Sequence, residues 1–510
     1  MATPWYLNRR QLLTWGGALA GAAFLPALPQ LSPPADGGTR SFPGNYPFTL
    51  GVASGDPLPD AVVFWTRLAP LPSAPDGGMP PHPVGVRWEV AEGEGFRTVV
   101  RRGAVVARPE SAHSVHVDVR GLRPDRVYFY RFAVGAHVSA VGRTRTAPAL
   151  TAPLLHLAFA FASCQNLVAG HYTAYQDMLR RDLDFVLHLG DYIYEGAGTG
   201  KDAVRNNTRS SEATTLDDYR VRHADYKRDP DLQAVHAAFP FILTWDDHEV
   251  DNNYAAADAD PDQPRDEFLV RRAAAYQAYF EHQPLRPAQR PVGPDAHLFR
   301  RFTFGDLLQL HVLDSRQYRS DQARDESESR DPSRTMLGAD QEQWLHRGLT
   351  GSRRVWDVLG NQVPVRRYGT RELGGDQWDG YDAARQRLLD SFARTPGNPV
   401  VLTGDLHSNQ VSDLPAAFAD DTSPFVATEF MGTSITSGGD GAGRLVYDDF
   451  GNRWERFRNF GQRGYVAIDV TPRTLTAEYR GVETVRERTS SAYTVERFAL
   501  EAGRRGVEFA

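Results

Sequence analysis

Five short polar segments of the 510-residue chain each follow an apolar run, and their residue types point to one chemistry. They are Phe161-Ala-Ser163-Cys164-Gln165-Asn166, then Gly190-Asp191-Tyr192-Ile-Tyr194-Glu195, then Trp245-Asp246-Asp247-His248-Glu249 with Asp251, Asn252 and Asn253 close behind, then Gly360-Asn361-Gln362, and Thr403-Gly404-Asp405-Leu406-His407. Each has an ordinary reading by itself. Cys164 reads as a small core residue, Gly190-Asp191 as a turn, the acidic run as a solvated loop, and Asn361-Gln362 as local backbone satisfaction. Those readings do not explain the recurrence. Clustered carboxylates raise one another's pKa unless a cation lies between them, so the set reads as a metal site.

The elements that would position these residues alternate. From about residue 153 the chain reads as an α/β domain. Continuous apolar runs, as in strands buried on both faces, occur at Leu154–Ala162, Asp184–Leu189, Phe241–Trp245, Leu307–Leu313, Val355–Leu359 and Pro399–Thr403. Helical spacing appears at His171–Arg181, Leu216–Ala237, Asp266–His282, Ala339–Leu349 and Asp382–Ala393. Further strands are expected at Phe425–Phe430, Tyr465–Val470 and Leu475–Tyr479. Alternation of this kind gives a helix-covered sheet, and ligands bind beyond the carboxyl ends of its strands. The charged, Ser-rich stretch Arg316–Arg334 reads as a long surface loop. Residues 46–146 differ: short β-rich runs separated by Gly, Pro and Asp, with Leu122-Arg-Pro124-Asp-Arg-Val-Tyr128 resembling the tyrosine corner of a β-sandwich. The expected division is 1–35, 46–146, 153–485 and a C-terminal extension from 486 to 510.

Composition narrows the class. A hydrophobic fraction of 41% and a charged fraction of 24% exclude a disordered chain, a collagen and a polytopic membrane protein. A net charge of −7 excludes a global basic surface for nucleic acid. Asn8-Arg9-Arg10-Gln11-Leu12-Leu13, followed by a Gly/Ala-rich apolar run, resembles a twin-arginine export signal, cleaved within 26–36. The expected location is therefore outside the cytoplasm, with the twin-arginine translocation machinery as a partner. The one cysteine, Cys164, leaves no intramolecular disulfide possible.

Taken in order, Ser-Cys-Gln, Gly-Asp-Tyr-Ile-Tyr-Glu, Trp-Asp-Asp-His-Glu and Thr-Gly-Asp-x-His resemble the PhoD-like alkaline phosphatases of the calcineurin-like metallophosphoesterase superfamily. Metal-dependent phospholipases D belong to the same group. The resemblance spans roughly 46–485. It implies a four-layer α/β sandwich preceded by a small fibronectin-like β-sandwich, and a ferric ion with calcium, Fe(3+) and Ca(2+), as cofactors. The ligand types agree: thiolate and phenolate suit iron, and oxygen donors suit calcium.

The resemblance also assigns roles. Cys164, Asp191 and Tyr194 hold iron, with Asp191 between the metals. Asp247 faces the second metal, and Asp405 and His407 occupy the last motif. Asn361 supplies a further ligand, with Asn252 or Asn253 as alternatives. His248 sits over the scissile phosphate. Arg316 is either a phosphate clamp or a surface ion pair. The implied reaction is hydrolysis of a phosphate monoester or diester by metal-activated water, with a phospholipase D as the alternative. A nucleophilic role for Cys164 is disfavoured, because no arginine follows it until Arg180.

Overall fold

The computed structural model describes residues 44–198, 203–259, 263–368, 375–441 and 453–510. The paired arginines, and all of segment 1–35, lie outside the described residues. The first strands are β1 Val52–Gly55, β2 Ala61–Arg67, β3 Val84–Ala91, β4 Val99–Ala107, β5 Ser114–Arg120, β6 Val127–Val134, β7 His137–Val138 and β8 Gly142–Arg145. Then come β9 Leu157–Ala162, β10 Phe185–His188, β11 Pro240–Leu243, β12 Arg300–Phe304, β13 Leu308–Val312, β14 Trp356–Gly360 and β15 Asn398–Thr403. The last are β16 Asn409–Pro415, β17 Phe425–Met431, β18 Glu455–Asn459, β19 Arg463–Val470, β20 Thr474–Val482, β21 Ala492–Glu501 and β22 Glu508–Phe509. The described helices are α1 Thr173–Met178, α2 Leu216–Lys227, α3 Pro230–Ala238, α4 Arg265–His282, α5 Glu326–Ser329, α6 Gly338–Thr350 and α7 Asp382–Arg394.

Two sheets stack face to face. One has ten strands in the order β22-β21-β20-β19-β9-β10-β11-β1-β2-β5; the other has seven, β12-β13-β14-β15-β17-β16-β18. Between them lies an apolar layer in which Phe159, Phe161, Leu187 and Ile242 meet Phe302, Leu308, Val358, Val400 and Phe430. Outside the first sheet, Tyr175, Tyr219, Leu232, Phe268 and Tyr276 pack α1 to α4 onto it. Outside the second, Leu345, Leu349, Leu388 and Phe392 do the same for α6 and α7. The architecture is therefore helix, sheet, sheet, helix: the four-layer α/β fold expected.

The central strands β9, β10 and β11 run parallel, as do β13, β14, β15 and β17. Their near-continuous apolar sequences are what burial on both faces demands. Parallel pairing also gathers the carboxyl ends of each set at one edge.

Three expectations change. The single helix read over Leu216–Ala237 is two. A Thr215–Asp218 capping box starts α2, and Asp229 caps α3 by accepting from the N–H groups of Asp231 (2.9 Å) and Leu232 (3.0 Å), with Pro230 in its first turn. The stretch Arg316–Arg334 is no simple surface loop, since Arg316, Arg319 and Arg334 are all buried. The segment from 486 onward is no appendage, because β21 pairs along the whole of β20 and β22 closes the edge of the ten-stranded sheet.

The amino-terminal β region forms two layers around Val62, Phe64, Val86, Val90, Tyr130 and Phe132. The backbone N–H of Arg123 donates to the Tyr128 hydroxyl at 2.9 Å, the tyrosine-corner bond. One of those layers is shared: β1 pairs in parallel with β11, in the register Ser54↔Pro240 and Gly55↔Phe241. The ten-stranded sheet thus runs from the carboxyl terminus through β9, β10 and β11 into this region. Among the described residues, no helix is long and apolar enough to cross a membrane.

Candidate metal centre

The ends of β9, β10 and β11 in one sheet, and of β13, β14 and β15 in the other, converge. Cys164 follows β9, Asp191 and Tyr194 follow β10, and Asp247 and His248 follow β11. Arg316 follows β13, Asn361 follows β14, and Asp405 and His407 follow β15.

The approach is close. A Cβ on Gly190, whose φ is +110°, would lie 2.4 Å from the Asp246 Cβ and 2.5 Å from its backbone nitrogen. One on Gly404 would lie 2.3 Å from the Ser163 hydroxyl. The glycine of each Gly-Asp pair is therefore required by packing between neighbouring strand ends. Cys164 (φ 58°), Asp191 (φ 52°), Asp405 (φ 67°) and His407 (φ 51°) all adopt left-handed backbone. Residues other than glycine adopt it at a cost, and such strain gathers at functional sites.

Among the described residues, three groups of donor atoms are spaced so that each could surround one ion: Cys164, Asp191 and His407; Asp191, Asp247 and His248; Asp246, Asp247 and Asp405. Within each group the atoms lie within 4.8 Å of one another. Asp191 belongs to the first two groups and Asp247 to the last two, so the three form one chain. The Tyr194 hydroxyl donates to Asp191 Oδ2 (2.8 Å) and lies 3.2 Å from His407 Nε2. Asp191 Oδ1, Asp247 Oδ1 and Asn361 Oδ1 are buried with no hydrogen-bond partner. Buried acceptors are almost always satisfied, and three orphans at one site fit a bound cation. Asn361 Nδ2 donates to Val363 O at 2.5 Å, which turns its orphan oxygen the other way. Asn252 and Asn253 contribute backbone instead: their N–H groups bond Glu195 (3.1 Å) and Asp247 Oδ2 (2.7 Å).

Electrostatics agree. Burial pushes the carboxyls of Asp191 and Asp405 well above the usual range, with neighbouring aspartates adding to it. Burial likewise raises the Cys164 thiol and the Tyr194 phenol. Each group therefore favours its proton until a cation supplies the missing positive charge. Burial also drives His407 down to about 3, leaving a neutral imidazole able to act as a ligand. His248 is the opposite case. Burial opposes its charge, but Glu195, Asp247 and Asp191 outweigh it and hold the imidazolium well above the ordinary histidine value. Its Nδ1 lies 2.7 Å from Glu195 Oε2, and its ring packs 4.1 Å from that of Tyr194.

Several supporting residues escaped the sequence reading. Glu249 accepts from the N–H groups of Asp191 (3.0 Å), Tyr192 (2.5 Å) and Asp246 (2.7 Å), tying the β10 and β11 ends together. Ser437 sits 2.7 Å from the Tyr194 hydroxyl and 2.8 Å from the Cys164 carbonyl. Arg463 holds the His407 carbonyl at 2.6 Å, and Gln377 donates to Asp405 Oδ2 at 3.0 Å. The adjacency of Glu249 to the Asp-Asp-His run was the one signal available. Arg316 is fully buried, with its guanidinium on Asp246 and Asp376 (2.7 Å). It is thus part of a buried ion-pair cluster and not a surface ion pair.

Comparison with known proteins is consistent with this centre. Residues 159–479 match the family model described as PhoD-like phosphatase, and residues 34–148 match that of the PhoD-like phosphatase N-terminal domain. The chain is 45% identical to alkaline phosphatase D of Bacillus subtilis (strain 168), over 98% of this chain and 88% of the relative. It also superposes on a solved structure titled "Structure of PhoD". The TM-score is 0.87 at 46% identity, covering 91% of this chain and 92% of that one.

Proposed function

Because the chain belongs to the PhoD-like phosphatase family and is thus a phosphoesterase, we propose that it hydrolyses phosphate monoesters and diesters at a mixed iron–calcium centre, outside the cytoplasm. The chain of donor groups through Asp191 and Asp247, with its three orphaned oxygens, carries this reading.

Cys164, Asp191 and Tyr194 would hold a ferric ion, joined by His407, which groups with Cys164 and Asp191. A soft thiolate and a phenolate are donors that iron takes and calcium does not. Asp247, Asn361 and Asp405 would hold calcium through oxygen. Bound there, the two ions would neutralise the phosphoryl oxygens and acidify water. The protein's own groups do the rest. Glu249 and the left-handed turns fix the carboxylates before substrate arrives, which preorganises the site. Glu195 grips His248 Nδ1, which leaves Nε2 as the end that would face the phosphoryl group. His248 would stabilise the phosphoryl charge and donate a proton to the departing oxygen.

The decisive experiment is elemental analysis of natively purified protein, with a panel of phosphate monoesters, diesters and phospholipids. Iron and calcium, a visible charge-transfer band and turnover of simple esters are the expected results. Stoichiometric zinc without iron would overturn the metal assignment, and exclusive turnover of phospholipid would replace the substrate assignment. Cys164→Asp should keep measurable turnover and lose or shift the visible band; Cys164→Ala should lose iron and activity together. A phosphorylated Cys164 trapped during turnover would make the thiol a nucleophile instead.

Export is read from Arg9 and Arg10. Replacing both with lysine should leave precursor in the cytoplasm, visible by fractionation and blotting. Normal export of that variant would remove the twin-arginine reading.

A further inference from the structure

Arg316 stands among four carboxylates. Its Nε bonds Asp246, one terminal nitrogen bonds Asp376 Oδ1 at 2.7 Å, and the other lies 3.5 Å from Asp247 Oδ1 and 4.0 Å from Asp405 Oδ1. None of its surface is exposed, and that second terminal nitrogen has no hydrogen-bond partner. Asp246, Asp247 and Asp405 are themselves one of the three groups spaced as metal ligands. The guanidinium therefore lies against a set of oxygens that, by spacing and charge, suits a divalent ion.

Its position is imposed by the fold. The Arg316 N–H donates to Asp314 Oδ1 (3.0 Å), and its carbonyl accepts from the Ala256 N–H (3.0 Å). Arg319 reinforces the outer carboxylate, reaching Asp376 Oδ1 at 2.5 Å and its carbonyl at 3.0 Å. Asp376 Oδ2 is left buried without a partner, as is Asp247 Oδ1. Two arginines thus face four acids.

We infer that Arg316 is a built-in cation occupying the place of an additional metal ion, and so is a positioning residue that sets how many divalent ions the centre holds. It rests on the metal centre proposed above. A guanidinium is always charged and offers donors in a fixed plane. It therefore holds Asp246 and Asp376 in place whether or not metal is bound. It also keeps a further cation from settling between Asp246 and Asp376, while leaving the Asp247 and Asp405 oxygens to calcium and the Cys164 and Asp191 side untouched. Without it the four carboxylates would either take up protons or recruit a cation from solution.

The test compares the full-length wild type with Arg316→Met, Arg316→Lys, Asp376→Asn and the double variant Arg316→Met/Asp376→Asn. Each is equilibrated with calcium chloride, then measured for bound calcium and for Tm against calcium concentration. Arg316→Met should bind about one more calcium per chain than wild type, and its Tm should climb more steeply with calcium, since a ligand bound only by the native state stabilises it. Arg316→Lys should keep the wild-type content. The double variant should return to wild-type content and calcium dependence, having lost one carboxylate along with the guanidinium.

Unchanged calcium content and slope in Arg316→Met would overturn the inference. If Arg316→Met yields no folded protein, rescue by the added Asp376→Asn supports charge balance. Failure of that rescue, with Asp376→Asn alone folding normally, overturns it. A wild type that binds no metal would refute the centre itself, a result distinct from a metal-bearing wild type whose Arg316 variant gains nothing.

Discussion

Asp191→Ala should remove turnover by roughly three orders of magnitude or more, the scale set by losing charge stabilisation at a reacting centre, and should deplete both metals at once. Asp191 groups with Cys164 and His407 on one side and with Asp247 on the other. Its Oδ2 also receives the Tyr194 hydroxyl, and its Oδ1 is buried without a partner. No other side chain could take over, since the backbone here is held by Glu249 in a left-handed turn. Steady-state turnover and elemental analysis on the same preparation check this. A variant that keeps both metals and most of its activity would remove Asp191 from the bridge.

His248→Ala should lower kcat by about 10²- to 10⁴-fold, the range for removing a general acid, with metal content unchanged. Nδ1 is occupied by Glu195 and Nε2 is the end left to act. The loss should be larger for an alkyl ester than for an aryl ester with a good leaving group, because the latter departs without a proton. An equal loss on both would assign His248 to charge stabilisation alone. No loss on either would remove it from the chemistry.

Much of this centre was legible because each candidate residue follows a buried parallel strand, and such strands announce themselves as unbroken apolar runs. Leu157–Ala162 and Phe185–His188 are clear cases, and the polar residues after them stand out by contrast. The strand Asn409–Pro415 was not seen, because it buries Ser412 and Asp413, and nothing nearby in sequence supplies a partner for the Asp413 carboxylate. Thr428 and Arg456 do so from other strands, at 2.8 Å and 2.7 Å. The same limit explains Arg316 and Arg319. Composition marks them as surface residues, and Asp246, Asp376 and the carbonyls of Asn253 and Tyr254, brought in from segments distant in sequence, make their burial tolerable. Glu249 was passed over for a related reason: its partners are three backbone N–H groups, which no side-chain pattern encodes.

The parallel pairing of β1 with β11 has a bearing on biosynthesis. The first strands leave the ribosome long before Pro240 and Phe241 exist, so β1 cannot gain its neighbour on that side until nearly half the polypeptide has been made. Trp65, whose indole N–H donates to the Glu281 carbonyl at 3.0 Å, and Asp56, paired with Arg300 at 2.7 Å, wait longer still. Contacts so distant in sequence slow folding. The nascent amino-terminal β region must hold an open edge throughout that interval. A chain cut near residue 150 would leave β1 unpaired on that side in one fragment and β11, the strand that leads to Asp246 and Asp247, unpaired on that side in the other, and exposed edges of this kind invite aggregation. The two regions thus complete their folding as one unit.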